Sequence, residues 1–365
     1  MLYKNRRFCL DFVRAIAITS VLIAHTTYIF RANIDIGIYL KFFGFMGVEI
    51  FFALSGYLIG FIILKTTKQG FFKKDLLIFL LRRWMRTLPA YWLILIVLIV
   101  IYGSIDKRLS FFVFMQEFLD PDQTEIFFGV AWSLVVEELF YILFGITLFI
   151  IMRSFQLGAM SAIGFLCLVI IITSPLVRYA YSIYFDDYSW WGMRKYSLLR
   201  FDAIAWGVLL SWINFYFKKI AWIINHNIRY IVAIIIVTSV GFLYILSNDL
   251  LILENRFFKS IGFSIFPMLF ALLIFCIDQR NNDFIPNDLF QRSITLISVS
   301  SYSLYLIHWE VILFISNDRI VSQFGMPVVI VAYISILYAA VYILYTKVER
   351  PFIELRDLHF NIKYV

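Results

Sequence analysis

Apolar residues run along this chain in long blocks separated by short polar stretches. A bilayer core about 30 Å thick takes roughly 20 apolar residues per helix. Ten blocks meet that requirement: 10–30, 42–64, 88–104, 126–151, 157–177, 198–217, 228–247, 257–277, 293–315 and 326–346. They are too long and too continuous for barrel strands, which alternate residue by residue. The pattern predicts an all-α integral membrane protein with about ten transmembrane helices. Neither an internal repeat nor a low-complexity linker divides the chain, so residues 1–365 read as one transmembrane domain. Lys4, Arg6 and Arg7 ahead of the first block imitate an export signal. No small-residue cleavage site follows, and the block contains Arg14 and His25, so it reads as a retained first span.

Composition removes the soluble classes. The 365 residues are 62% hydrophobic and 15% charged, against about 25% charged in soluble domains. The net charge of +8 would suit nucleic acid, but the basic residues lie between apolar blocks in a topological pattern, and no nucleic-acid partner is expected. With the N-terminus placed inside, the inside segments hold nearly twice the Lys and Arg of the outside ones, which puts both termini in the cytoplasm. The richest inside segment, 65–87, carries Lys65, Lys68, Lys73, Lys74, Arg82, Arg83 and Arg86. Its second half reads as an interfacial stretch before Pro89 opens the third span. Arg178, Arg194, Lys195 and Arg200 break the rule by falling outside. Cys9, Cys167 and Cys276 have no ligand-like spacing, so neither a disulfide framework nor a metal site is expected.

Candidate chemistry lies in the ionisable residues within the spans, each costly in hydrocarbon and in need of a partner or a polar cavity. Arg14 and His25 are eleven residues apart, which returns them to nearly one helix face about 16 Å apart along the axis. Arg14 could instead snorkel to lipid phosphate, and His25 could be satisfied by a backbone carbonyl. In WSLVVEELFYILFG, Ser133, Glu137 and Tyr141 share a face, which makes Glu137 rather than Glu138 the inward carboxylate. Glu137 could also neutralise Arg14. Asp202 beside Arg200 could anchor a helix end. Tyr302, Tyr305 and His308 in SYSLYLIHWE could line a polar tunnel or form an interfacial belt.

Seven blocks, in order, resemble the membrane acyltransferase 3 family. They are Arg14 and His25 at their spacing; GVEIFFALSGYLIG from Gly47 to Gly60; Arg83 and Arg86 before Pro89; Trp132, Ser133, Leu134, Glu137, Glu138, Phe140 and Tyr141; Arg200, Asp202 and Gly207; Ser301, Tyr302, Tyr305, Leu306 and His308; and Glu349-Arg350-Pro351-Phe352. Together they cover nearly the whole chain. The position two after His308, often Pro in the family, is Glu310 here. The chain is similar to the stand-alone type, without an extracytoplasmic esterase-like domain.

The resemblance implies a multi-pass protein of the bacterial cytoplasmic (inner) membrane that moves an acetyl group from cytosolic acetyl-CoA to a hydroxyl of a surface polysaccharide or its lipid-linked precursor. No tightly bound cofactor is implied. Lys73, Lys74, Arg82, Arg83 and Arg86 would take the CoA phosphates. His25 would act as general base, with Glu137 behind it and Arg14 at the oxyanion or the phosphates. Glu49, Ser133, Tyr141, Asp202, Tyr302, Tyr305 and His308 would line the acceptor site or tunnel. A transporter or flippase of a glycan or lipid is the competing class, since buried charge and ten spans suit it too.

Overall fold

The computed structural model describes residues 6–30, 34–67, 73–103, 108–119, 127–185, 190–248, 255–280, 288–316 and 324–360. Lys4 and Lys68, part of the charge argument, lie outside these residues. Among the described residues every regular element is a helix.

Among the described residues nine helices are long and apolar enough to cross a membrane, and one bent pair brings the number to ten if it is a single span. The long helices begin with α1 (Phe8–Phe30), α2 (Ile34–Thr66) and α3 (Lys73–Tyr102). Two short helices follow, α4 (Leu109–Phe112) and α5 (Gln116–Leu119), and then α6 (Ala131–Ser154) and α7 (Ala159–Tyr184). After α8 (Trp190–Lys195), a single 3₁₀ turn (Ser197–Arg200) leads into α9 (Phe201–Tyr216). The remainder are α10 (Lys218–His226), α11 (Ile228–Asn248), α12 (Arg256–Gln279), α13 (Asp288–Val299), α14 (Ser301–Ile315), α15 (Met326–Leu344) and α16 (Arg350–His359).

Three expected spans differ. The interfacial stretch before Pro89 and the third span are one helix, α3, which passes through the proline. Proline removes an amide donor from a helix. The carbonyl this leaves without its amide is that of Met85; nearby, Thr87 Oγ1 donates to Arg83 O at 3.2 Å and the Tyr302 phenol to Thr87 O at 2.8 Å. The block 293–315 is two helices, α13 and α14, bent by 66°. The break falls at Ser300 in a serine-rich run, where side chains compete for backbone groups; Ser300 Oγ donates to Leu296 O at 2.8 Å. The last span continues past 346 through a π-helical turn, Tyr345–Glu349, into α16.

The chain forms two compact units, interleaved in sequence. The first holds Met1–Gly47, Phe79–Trp132 and Pro286–Val365, and the second holds Val48–Ile78 and Ser133–Ile285. In the first, α2 crosses α1 closely because its contact residues have no side chain. A Cβ on Gly44 would lie 2.7 Å from Ala24 Cβ, and one on Gly47 would lie 2.6 Å from Ala17 O. In the second, Gly56 and Gly60 of α2 meet Gly207 and Ser211 of α9 so tightly that no Cβ fits on any of the glycines. Lipid tails are as apolar as leucine, so membrane helices associate through such small-residue approaches. Glu49 with Arg200, Gly56 with Gly207 and Gly60 with Ser211 share the offset of 151 residues, so the two helices run parallel and in register.

Candidate functional site

The first unit holds a polar line along α1. At one end Asp11, buried within the apolar run, accepts from Arg6 through both carboxylate oxygens at 2.8 and 2.5 Å. Arg14 donates to Asp11 at 3.2 Å and to the hydroxyl of Ser298, on α13, at 3.1 Å. Ser298 is fully buried and donates to Asp11 at 2.7 Å, which closes a three-residue cycle. Arg14 is therefore fixed inside the unit rather than snorkelling to lipid phosphate. Arg83 and Arg86, on α3, lie within electrostatic reach of Arg14 and of each other. Glu349, buried at the end of the π-helical turn, faces Arg86 and Arg14 and accepts from Ser303 at 2.7 Å. The arginines outnumber the acids, and guanidinium forks suit phosphate. Arg82 faces Arg356 and Asp357 instead. Lys73 and Lys74 are exposed at the start of α3, on the order of 15 Å along the helix before Arg83.

At the other end His25 meets His308 of α14, with Nδ1 of the first 2.7 Å from Nε2 of the second. The ring planes differ by 13° with centroids 5.0 Å apart. Contact at 2.7 Å between ring nitrogens at that centroid distance is edge to edge and nearly coplanar, not face to face. The protonation pattern follows from the neighbours. Nδ1 of His308 lies 2.8 Å from Tyr305 O and 3.1 Å from Leu304 O. Carbonyl oxygens only accept, so this nitrogen carries a hydrogen, and Nε2 of the neutral ring is the acceptor. Nδ1 of His25 is then the donor, and the neutral His25 ring keeps its basic lone pair on Nε2. Trp309 packs against His25 at 5.1 Å between centroids, and Tyr28 meets Trp309 edge-on at 4.6 Å.

The phenols expected to line a tunnel bond to backbone: Tyr302 to Thr87 O, and the buried Tyr305 to Val130 O at 3.3 Å. Helix α14 continues through Glu310 to Ile315, so the glutamate where family members often carry proline leaves the helix intact.

The second unit gathers the remaining candidates. Glu49 accepts at both carboxylate oxygens from one nitrogen of Arg200, at 2.5 and 2.6 Å, and Asp202 accepts a two-nitrogen fork from Arg178 at 2.9 and 2.7 Å; all four side chains are fully buried. Arg178 also donates to Ser260 O, and Ser264 donates to Asp202. Arg178 and Arg200 broke the charge rule because they are buried partners of carboxylates rather than loop charges. Glu137 accepts from Tyr141 at 2.9 Å, one turn along α6, and Tyr141 contacts Ser55. Ser133 is buried near the start of α6, and Glu138 is buried more deeply than Glu137.

Sequence reasoning missed Asp11 and Ser298 as the residues that hold Arg14, and His308 as the partner of His25. Asp11 was readable, three residues before Arg14 on one helix. The other two need the tertiary pairing of α1 with α13 and α14. Among the described residues no group of His, Cys, Asp and Glu could hold a metal ion.

The described residues thus form a multi-span helical membrane protein with an arginine cluster at one end of α1 and a histidine pair at the other. The acyltransferase domain model matches residues 7–346, and the chain belongs to that family. A protein of Staphylococcus aureus strain COL, provisionally named an O-acetyltransferase, is 28% identical over 96% of this chain and 58% of its own length. The O-acetyltransferase OatA of S. aureus strain NCTC 8325 is 25% identical over 88% of this chain and 53% of its own length. The chain thus spans a little over half the length of the curated relatives it matches. No solved structure matches it.

Proposed function

We propose that this protein is an O-acyltransferase that moves an acetyl group from acetyl-CoA to a hydroxyl of a surface polysaccharide or its lipid-linked precursor, in a bacterial cytoplasmic membrane. The observation that carries the reading is the His25–His308 hydrogen bond, which leaves the basic lone pair of His25 on Nε2. It sits on the same helix as Arg14. The names of the S. aureus relatives support transfer to oxygen.

Acetyl-CoA enters from the cytoplasmic face, its phosphates held by Arg83, Arg86 and Arg14, with Lys73 and Lys74 as outlying cations that raise its local concentration. The pantetheine arm runs along α1, over the roughly 16 Å that separates Arg14 from His25. His25 Nε2 takes the proton of the acceptor hydroxyl as its oxygen attacks the thioester carbon. The imidazolium that forms keeps donating through Nδ1 to His308, whose neutral ring accepts without competing for the charge. Collapse of the tetrahedral intermediate expels the CoA thiolate, which recovers the proton from His25. The products are the acetyl ester and free CoA thiol.

The test is direct. Purified protein in lipid is given radiolabelled acetyl-CoA, and surface glycans from cells with and without the gene product are compared by mass. Acetyl-CoA consumption with a 42 Da glycan increment, the mass of an added acetyl group, supports the reading. A protein that neither binds nor consumes acetyl-CoA overturns it in favour of transport.

A further inference from the structure

Trp309 of α14 touches two residues of α1. Its ring centroid lies 5.1 Å from that of His25, with the planes at 60°, and 4.6 Å from that of Tyr28, which it meets at 90°. Tyr28 follows His25 by three positions, so the two side chains adjoin on the helix surface. Trp309 itself follows His308, the hydrogen-bond partner of His25. The four rings form one cluster, and all of it belongs to the first unit.

This cluster is open on one side. Tyr28 is 51% exposed, and His25 and Trp309 each keep part of their surface, whereas His308 is fully buried. Helix α1 ends at Phe30, and five residues of helix rise about 7.5 Å, so His25 is little more than one turn from that end. Tryptophan and tyrosine on a membrane protein commonly form an interfacial belt. Two neighbours argue against a purely lipid-facing role here. His25 is ionisable and shares the open surface. Glu310, next to Trp309 in the chain, is also partly exposed, and its Oε1 has no hydrogen-bond partner among the described residues. Ionisable groups on membrane helices face the protein interior or a water-filled cavity rather than lipid.

We infer that Trp309, braced edge-on by Tyr28, is the platform for the acceptor: the face of a pyranose ring lies on the open part of the indole and presents one of its hydroxyls to His25. The inference rests on the acyltransferase reading and narrows the acceptor at that same site to a ring-form sugar. A pyranose carries C–H bonds on its faces and hydroxyls around its rim. An aromatic ring covers the apolar face and leaves the rim free for hydrogen bonds. The 5.1 Å contact between indole and imidazole puts a sugar stacked on the first within reach of the second. Holding the ring in one orientation also selects which hydroxyl reacts.

The experiment compares wild type with Trp309→Leu and Trp309→Phe, each purified in lipid and given radiolabelled acetyl-CoA. The acceptors are a panel of methyl glycopyranosides and erythritol, an acyclic polyol that has hydroxyls but no ring face. The expected result is a lower wild-type KM for at least one pyranoside than for erythritol. Trp309→Leu raises that pyranoside KM roughly tenfold, the upper range of an aromatic contact, and abolishes the preference. The KM for erythritol and the affinity for acetyl-CoA stay within about twofold. Trp309→Phe keeps an aromatic face and recovers most of the preference. A wild type without the preference overturns the inference. Equal losses on pyranoside and erythritol in Trp309→Leu also overturn it and make Trp309 a support for His25 only. An unchanged pyranoside KM overturns it in favour of an interfacial belt. Should Trp309→Leu fail to fold, Tyr28→Leu, which removes the brace, carries the same comparison with a smaller rise. A wild type that consumes acetyl-CoA yet acetylates neither kind of acceptor overturns the sugar-acceptor reading itself.

Discussion

Nδ1 of His25 donates to Nε2 of His308, and the carbonyl of Tyr305 fixes the proton on the far side of the second ring. One hydrogen-bond chain, backbone to imidazole to imidazole, therefore decides which nitrogen of His25 is basic. His308→Phe removes the acceptor and frees His25 to adopt the other tautomer. It is expected to lower kcat by a factor on the order of 100 or more with little change in acetyl-CoA affinity. His308→Gln, whose carbonyl oxygen can still accept, recovers part of that loss. Equal kcat in wild type and His308→Phe would remove His308 from the mechanism.

Arg14 is held by Asp11 and Ser298, and it shares its surroundings with Arg83 and Arg86. Arg83→Ala with Arg86→Ala should weaken acetyl-CoA binding by tenfold or more, on the order of one charge-assisted bond, while the variant still folds. Lysine at both positions restores only part, because it keeps the charge and loses the fork. Isothermal titration in detergent or nanodisc reads the result, and wild-type affinity in the double alanine variant excludes the pair from the donor site.

Ser298 donates to Asp11 and accepts from Arg14 while fully buried. Ser298→Ala leaves both partners short of a bond and should lower stability by about 1–3 kcal/mol. A denaturation midpoint equal to wild type would show that Arg14 has another anchor.

Arg178 holds Asp202 through a two-nitrogen fork, and Arg200 holds both oxygens of Glu49 through one nitrogen, both pairs within the second unit. Their geometry is that of helix-fixing pairs. Asp202→Asn alone should cost about 3–5 kcal/mol by leaving a buried cation, whereas Arg178→Met with Asp202→Leu should recover most of it and retain transfer. A stable double variant without activity would place the pair in the acceptor site.

Span number and helix type were legible in the sequence because an apolar run of membrane length has few other solutions. The continuity of α3 through Pro89 was not, since a proline in an apolar run reads as the first turn of a helix rather than its interior. The bend at Ser300 was foreshadowed only by its serines. Arg14 and His25 could be placed on one face by counting residues. Their partners could not, because Ser298 and His308 lie more than 280 positions away.

The central claim is that His25 performs the chemistry and does not hold the donor. His25→Ala and wild type, matched for folding by thermal denaturation in lipid, are compared for radiolabelled acetyl transfer and for acetyl-CoA affinity. The account predicts that transfer is abolished while affinity stays within about twofold, because three helical turns separate the imidazole from Arg14. A folded His25→Ala protein that transfers acetyl groups at the wild-type rate contradicts it.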